Sequence, residues 1–165
     1  MHYINVFFVY SILGFLVESG VYKLIDSNIH SGFLFGPITP IYGIGAIIIL
    51  LINKYFFNKI KNKFIRIPLQ FLFFIVLLTL IEYLGGILLK EVMNMELWNY
   101  SSKEYSLGKY ISIDTSLIWG IFSIIFIYLI HPFMNKVIKK IPKLVTYLGI
   151  IIFFIDIICT VMWKR

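Results

Sequence analysis

The chain alternates long apolar stretches with short polar blocks that are mostly basic. Each apolar stretch is about 20 residues long, which is the length of helix that crosses a hydrocarbon core about 30 Å thick. The stretches lie at about residues 3–24, 41–57, 67–89, 111–131 and 144–163. They are continuously apolar rather than alternating at every second residue, which is typical of membrane helices and not of membrane strands. The pattern predicts an all-α polytopic transmembrane bundle of about five helices in one domain, residues 1–165.

The start of the second stretch is unusual. It carries no charge, but glycines and prolines interrupt it: Gly32, Gly36, Pro37, Pro40 and Gly43. Pro40 has no N–H for a helical hydrogen bond, and Pro37 disfavours a helical conformation at Gly36. We therefore expect an irregular or re-entrant segment over residues 32–40, followed by the second helix.

Composition excludes a soluble globular domain. Only 14% of the residues are charged and 60% are hydrophobic, whereas soluble domains carry about 25% charged residues. The formal net charge is +7, but the basic residues gather at the predicted membrane boundaries. A nucleic-acid partner is therefore not needed to explain the charge. The lipid bilayer is the expected surrounding.

Two basic loops predict the orientation. The loop before the third helix holds Lys54, Lys59, Lys61, Lys63 and Arg66, and the loop before the fifth holds Lys136, Lys139, Lys140 and Lys143. Neither loop contains an acid. Basic loops stay in the cytoplasm, so we predict a plasma-membrane protein with a cytoplasmic N-terminus and an external C-terminus.

Four acids fall within or at the ends of the predicted spans. With this topology Glu18, Glu82 and Asp156 lie ~18–22 Å from the inner ends of their helices, at about 1.5 Å per residue. Asp114 begins the fourth helix at the same outer side. Intramembrane acids are costly and usually face a bundle interior or water. The pattern predicts an outward-side site for a cation, a proton or a cationic substrate, with Tyr42 as a further candidate.

A structural role for these acids is the alternative. Each carboxylate could instead bond to a neighbour, such as Tyr42, Tyr83 or Tyr22, or to backbone groups freed near Pro40. The sequence shows no catalytic motif, no metal-ligand set and no need for a cofactor. Cys159 is the only cysteine, which excludes an internal disulfide. We expect the protein not to be an enzyme.

Several strings resemble one family. They are YSILGFLVES (10–19), GFLFGPITPIYGIGA (32–46), IEYLGGILLKEVMNMELWNYS (81–101) and SLIWGIFSIIFIYLIHP (116–132). They are similar to the "Putative ABC-transporter type IV" family of small bacterial membrane proteins named as permeases. Asn99 stands where the family tends to have an aspartate, and Lys109 where it usually has an arginine.

The resemblance implies a transport role. It favours a permease-like subunit that works as a homo-oligomer or with other membrane subunits, and a separate ATPase subunit is the further partner that the name implies. A membrane protein that senses, binds or scaffolds a partner without transporting is the alternative. Substrate, direction and energy source do not follow from these residues.

Overall fold

The computed structural model describes residues 1–25, 34–94, 96 and 98–163. In this part of the chain the α-helices are α1 (His2–Ile25), α2 (Pro40–Tyr55), α3 (Lys63–Met93), α4 (Ile113–Ile125), α5 (His131–Ile138) and α6 (Lys143–Trp163). A short 3₁₀ turn, Phe57–Lys59, follows α2, and a π-helical turn, Phe126–Ile130, joins α4 to α5. The all-α class is confirmed.

Five helical spans within the described residues are long and apolar enough to cross a membrane. They are His2–Gly20, Pro40–Lys59, Lys63–Val92, Ile113–Ile138 and Lys143–Trp163. The number of membrane helices predicted from the sequence is therefore confirmed. Their apolar faces remain largely exposed in the isolated chain, as expected for helices that lipid surrounds.

The second helix begins at Pro40, after residues 34–39 without helical structure. Proline fits the first position of a helix because the N–H that it lacks would have no helical acceptor there. The re-entrant course predicted for residues 32–40 stays a prediction, and Gly32 lies outside the described residues.

The third helix is longer than the predicted 67–89, because it begins at Lys63. The Asn62 side chain accepts a hydrogen bond from the backbone N–H of Phe64 at 3.0 Å. This N-cap satisfies a donor that the first helical turn leaves free. Pro68 lies inside the helix and does not mark its start.

The fourth span does not end at residue 131 but continues through Pro132 to Ile138. The π turn explains why. The backbone N–H of His131 bonds to the carbonyl of Phe126, five residues back. A wide turn of this kind accommodates the proline, which would otherwise clash with a carbonyl of the preceding turn.

The chain separates into two compact units: unit 1 is Met1–Ile47 with Asn135–Arg165, and unit 2 is Ile48–Met134. In unit 1, α1 bonds to α6 through the Asn5 Oδ1 and Thr146 Oγ1 atoms, which are 2.6 Å apart. In unit 2, α4 approaches α3 at Gly120, where a Cβ would meet the Phe71 ring at 2.8 Å. The single-domain description stays a prediction.

Orientation is open to a direct test. We expect a cysteine at position 61, in a Cys159→Ser background, to be shielded from an impermeant maleimide in intact cells and to react after permeabilisation. The cysteine of Ser102→Cys, in the loop between α3 and α4, should already react in intact cells. Labelling of position 61 from outside intact cells would contradict a cytoplasmic N-terminus.

Candidate functional site

Glu82 is a buried carboxylate within the apolar span of α3 and belongs to unit 2. The Glu82 residue is 6% exposed to solvent. Oε1 accepts a hydrogen bond from the Tyr100 hydroxyl at 2.8 Å, and Oε2 accepts one from Trp119 Nε1 at 3.0 Å. Each carboxylate oxygen therefore has one donor, and both donors are uncharged aromatic side chains.

The loop between α3 and α4 carries the first of these donors. Its two sides pair through the Tyr100 N–H, which bonds to the Lys109 carbonyl at 2.7 Å, and through an isolated bridge between Ser106 and Ser112. Gly108 closes the loop with φ 76°, a conformation that favours glycine. The backbone pairing fixes where Tyr100 can reach.

A glycine on α3 lets this loop lie over the face that carries Glu82. A Cβ on Gly86 would meet the Tyr110 ring at 2.7 Å, so only glycine permits this approach without a shift. Residues four apart share one face of a helix, which places Tyr110 beside the Glu82 position. The loop therefore covers the buried acid.

A cation borders the same cluster. The Lys103 ammonium lies 4.8 Å from the centre of the Tyr100 ring and donates to Thr115 Oγ1 at 3.1 Å. Among the described residues, Glu82 itself forms no salt bridge. The carboxylate is thus stabilised by neutral donors, with a single lysine held against one of them.

Salt bridges of Glu96 connect the loop between α3 and α4 within itself and to the end of α3. Glu96 Oε1 lies 3.1 Å from Lys109 Nζ and 3.6 Å from Lys90 Nζ. The hydrogen bond and charge of Lys109 hold the pKa of the Glu96 carboxyl below its usual range, and Glu96 in turn raises the pKa of Lys109. Glu96 and Lys109 lie outside the spans, at the surface, where salt screens their interaction, whereas Lys90 belongs to the end of the third span.

The stability of this loop should depend on pH. Because the pKa of Glu96 is lowered by folding, its contribution is complete above the ordinary glutamate pKa and is lost as pH falls through the lowered value. The contribution of Lys109 to stability is complete below the ordinary lysine pKa and is lost as pH rises through the raised pKa of Lys109. Hydrogen exchange of loop amides should show both losses in the wild type and neither in Glu96→Gln. Glu104→Gln, at an exposed acid of the same loop, should keep the wild-type pH profile. If Glu104→Gln also lost both pH effects, they could not be assigned to the pair of Glu96 and Lys109.

Asp156 of α6 holds the non-helical segment of unit 1. Its Oδ1 accepts from the backbone N–H of Phe35 and its Oδ2 from that of Gly36, each at 3.0 Å. Thr160 Oγ1 lies 3.3 Å from Oδ1. A Cβ on Gly36 would stand 2.7 Å from Oδ2, so the glycine permits this close approach.

Every backbone N–H from residue 35 to residue 40 has an acceptor. The Asp156 carboxylate accepts from the first two. The Gly36 carbonyl accepts from the N–H of Ile38 at 2.8 Å, and the Ser11 carbonyl of α1 accepts from the N–H of Thr39 at 3.1 Å. Pro37 and Pro40 have no N–H. Lipid offers no hydrogen bonds, so non-helical backbone at membrane depth needs such partners from the protein.

The other predicted residues are described within their own helices. Glu18 is half-buried on α1, and Asp114 is exposed in the first turn of α4. A Cβ on Gly14 of α1 would overlap the Tyr42 ring, so Tyr42 packs on this glycine. Gly43 packs on Ser11 in the same way.

The acids were predicted from the sequence, but the partners of Glu82 were not. Of the neighbours proposed for the acids, the backbone before Pro40 binds Asp156. The side chain of Tyr22 lies outside the described residues. Tyr100 and Trp119 both fall in the strings shared with the family, which was the available signal for the Glu82 site. Whether Glu18, Glu82, Asp114, Asp156 and Tyr42 bind an ion or substrate stays a prediction.

The family model described as "Putative ABC-transporter type IV" matches residues 5–162. The chain belongs to this family. No curated protein and no solved structure gives a significant match. Membership makes the protein an ABC-transporter-related, multi-pass membrane protein, and such a family is not in general one of enzymes. Association with other transporter subunits is consistent with the family.

Proposed function

We propose that this protein is a permease-like membrane subunit of a transport system. In it, Glu82 is the centre of an acidic site for a proton, a cation or a cationic substrate. The observation that carries the proposal is the burial of the Glu82 carboxylate within a membrane span, with only neutral donors on its oxygens. Family membership supports the transport role.

The chemistry of the site suits a reversible charge. An ionised carboxylate offers about four acceptor positions on its two oxygens, and Tyr100 and Trp119 occupy two of them. A proton or a small cation can therefore join without displacing both donors. Because an unpaired intramembrane charge is costly, uptake of a positive charge at Glu82 is favoured.

Occupancy of Glu82 would then affect the outer loop. Tyr100 donates to the carboxylate at 2.8 Å, and a charged acceptor makes this bond stronger than a neutral one. Neutralising Glu82 weakens the bond that ties the loop to α3. In this way the presence of a proton or cation at Glu82 changes the mobility of the loop between α3 and α4.

The remaining acids belong to the proposal as further members of the site. Glu18 and Asp156 are expected to face the same outward cavity as Glu82, with Asp114 at its rim and Tyr42 beside it. Asp156 has an additional structural part, because it binds the backbone before α2. Spin labels at positions next to Glu82 and Asp156 measure the separation; a distance well beyond ~15 Å would separate Asp156 from the site.

The test compares cells that lack the protein with cells that carry Glu82→Gln. Total Na⁺, K⁺, Mg²⁺ and polyamine contents are measured. We expect the deletion to change at least one of them, Glu82→Gln to reproduce that change at wild-type protein levels in the membrane, and Glu104→Gln to restore the wild-type content. Full restoration by Glu82→Gln would contradict the proposed site and favour a scaffold or sensor.

A further inference from the structure

Four polar side chains form a hydrogen-bonded chain at the other end of unit 2. Arg66 Nε donates to the Tyr128 hydroxyl at 3.0 Å, and that hydroxyl donates to Gln70 Oε1 at 2.8 Å. Gln70 Nε2 then donates to Asn53 Oδ1 at 2.7 Å. The chain links α2, α3 and the π turn, and Gln70 within it is fully buried. This set of hydrogen bonds was not predicted from the sequence.

The direction of this chain follows from Arg66. A guanidinium only donates, so the Tyr128 oxygen accepts from it and must give its single proton to Gln70. This choice places the Gln70 oxygen toward Tyr128 and its NH₂ group toward Asn53. The guanidinium carbon also lies 5.7 Å from the centre of the Tyr128 ring. The arginine head is therefore held in place by Nε and by the ring.

The two terminal NH₂ groups of Arg66 pair with no acid in the part of the chain that the structure describes. Within the described residues no carboxylate forms a salt bridge with Arg66, and the sequence has no acid from residue 27 to residue 81. The side chain is half-exposed. A fixed planar fork of this kind matches the geometry of a phosphate, which it binds through two parallel hydrogen bonds.

The surroundings combine positive charge with exposed apolar rings. Lys54, Lys59, Lys61 and Lys63 lie within the connection between α2 and α3 or at its edges. Phe56 and Phe64 are 67% and 92% exposed in the same stretch. Since α2 ends and α3 begins at one membrane face, these rings need the apolar part of a lipid while the cations need its headgroup.

We propose that Arg66 and the neighbouring lysines bind the phosphate of an anionic phospholipid, phosphatidylglycerol or cardiolipin. The terminal NH₂ groups of Arg66 hold the phosphate, the lysines add charge, and Phe56 and Phe64 contact the glycerol and upper acyl chains. The hydrogen-bonded chain to Asn53 positions the arginine. Bound lipid thereby braces the ends of α2 and α3 and the π turn, independently of any role of Glu82.

The experiment measures binding of phosphatidylglycerol to the full-length protein. Nanodiscs of phosphatidylcholine with a graded fraction of phosphatidylglycerol, followed by native mass spectrometry, give the lipids that remain bound. We expect Arg66→Gln to lower the affinity by about tenfold, as the loss of a charged hydrogen-bond pair implies. Arg66→Lys should fall between, because it keeps the charge but not the fork. Tyr128→Phe should weaken binding less than Arg66→Gln.

Lys139→Gln provides the matched control, since it removes an exposed basic residue from the other basic loop. It should bind phosphatidylglycerol like the wild type. Equal losses in Lys139→Gln and Arg66→Gln would overturn the proposal, and so would unchanged binding in Arg66→Lys. Competition by inorganic phosphate at the same concentration as the lipid would also overturn it, because the site would then serve a free anion.

Discussion

Asp156→Ala is expected to lower the stability of unit 1, because it frees the backbone of a non-helical segment. The carboxylate accepts the backbone N–H groups of Phe35 and Gly36 at 3.0 Å each. Without it, the Gly36 N–H loses its acceptor and the Phe35 N–H keeps only Thr160 Oγ1, at 3.4 Å. An unsatisfied backbone donor away from water costs about 1–3 kcal/mol. The expected loss is about 1–3 kcal/mol, measured as unfolding in mixed micelles.

Two variants make this result specific. Asp156→Asn keeps one oxygen acceptor but turns an NH₂ group toward the other backbone N–H, so its loss should be smaller than that of Asp156→Ala. Ile155→Ala, at the neighbouring residue that is 55% exposed, should change stability little. If Asp156→Ala is as stable as Ile155→Ala, the carboxylate does not support the segment before α2.

The second large effect is expected at Trp119. Trp119→Phe keeps an aromatic ring but removes the Nε1–H that donates to Glu82 Oε2 at 3.0 Å. A hydrogen bond to a charged group contributes about 1.5–3 kcal/mol, so unfolding should become easier by about that amount. Because Tyr100 then holds the acid alone, amides of the loop between α3 and α4 should exchange faster.

Trp98→Phe is the matched control for this change. The Trp98 Nε1 atom is buried, and it has no hydrogen-bond partner in the described part of the chain. The same replacement there removes no bond, so it should cost less than Trp119→Phe. Equal losses for the two variants would show that the bond to Glu82 contributes nothing beyond the size of the indole ring.

The membrane spans could be predicted because their signal is local. Length and continuous apolarity identify a spanning helix, and the prolines before α2 identify its start. The start of α3 and the end of the fourth span were harder to predict from the sequence. The Asn62 cap depends on one side-chain conformation, and the π turn before His131 depends on how the backbone accommodates Pro132.

The candidate site was predictable only in part. An acid inside an apolar stretch is visible in the sequence, so Glu82 and Asp156 were identified. The Trp119 side chain was not predicted as a partner of Glu82, because the two residues lie far apart along the chain. For Asp156 the backbone near Pro40 was among the neighbours proposed, but its residues were not named. The hydrogen-bonded chain from Arg66 to Asn53 was not predicted for the same reason, since its four residues come from three separate segments.

The central claim, that Glu82 takes up a proton or a cation inside the membrane, is tested most directly by carbodiimide labelling. A hydrophobic carbodiimide modifies protonated carboxyl groups in apolar surroundings, and peptide mass spectrometry assigns the modified residue. We expect labelling at Glu82 that rises as pH falls and slows when Na⁺ or K⁺ is added, with none in Glu82→Gln. Labelling of Glu82 that is absent at every pH, or that neither pH nor cations alter, would contradict the account.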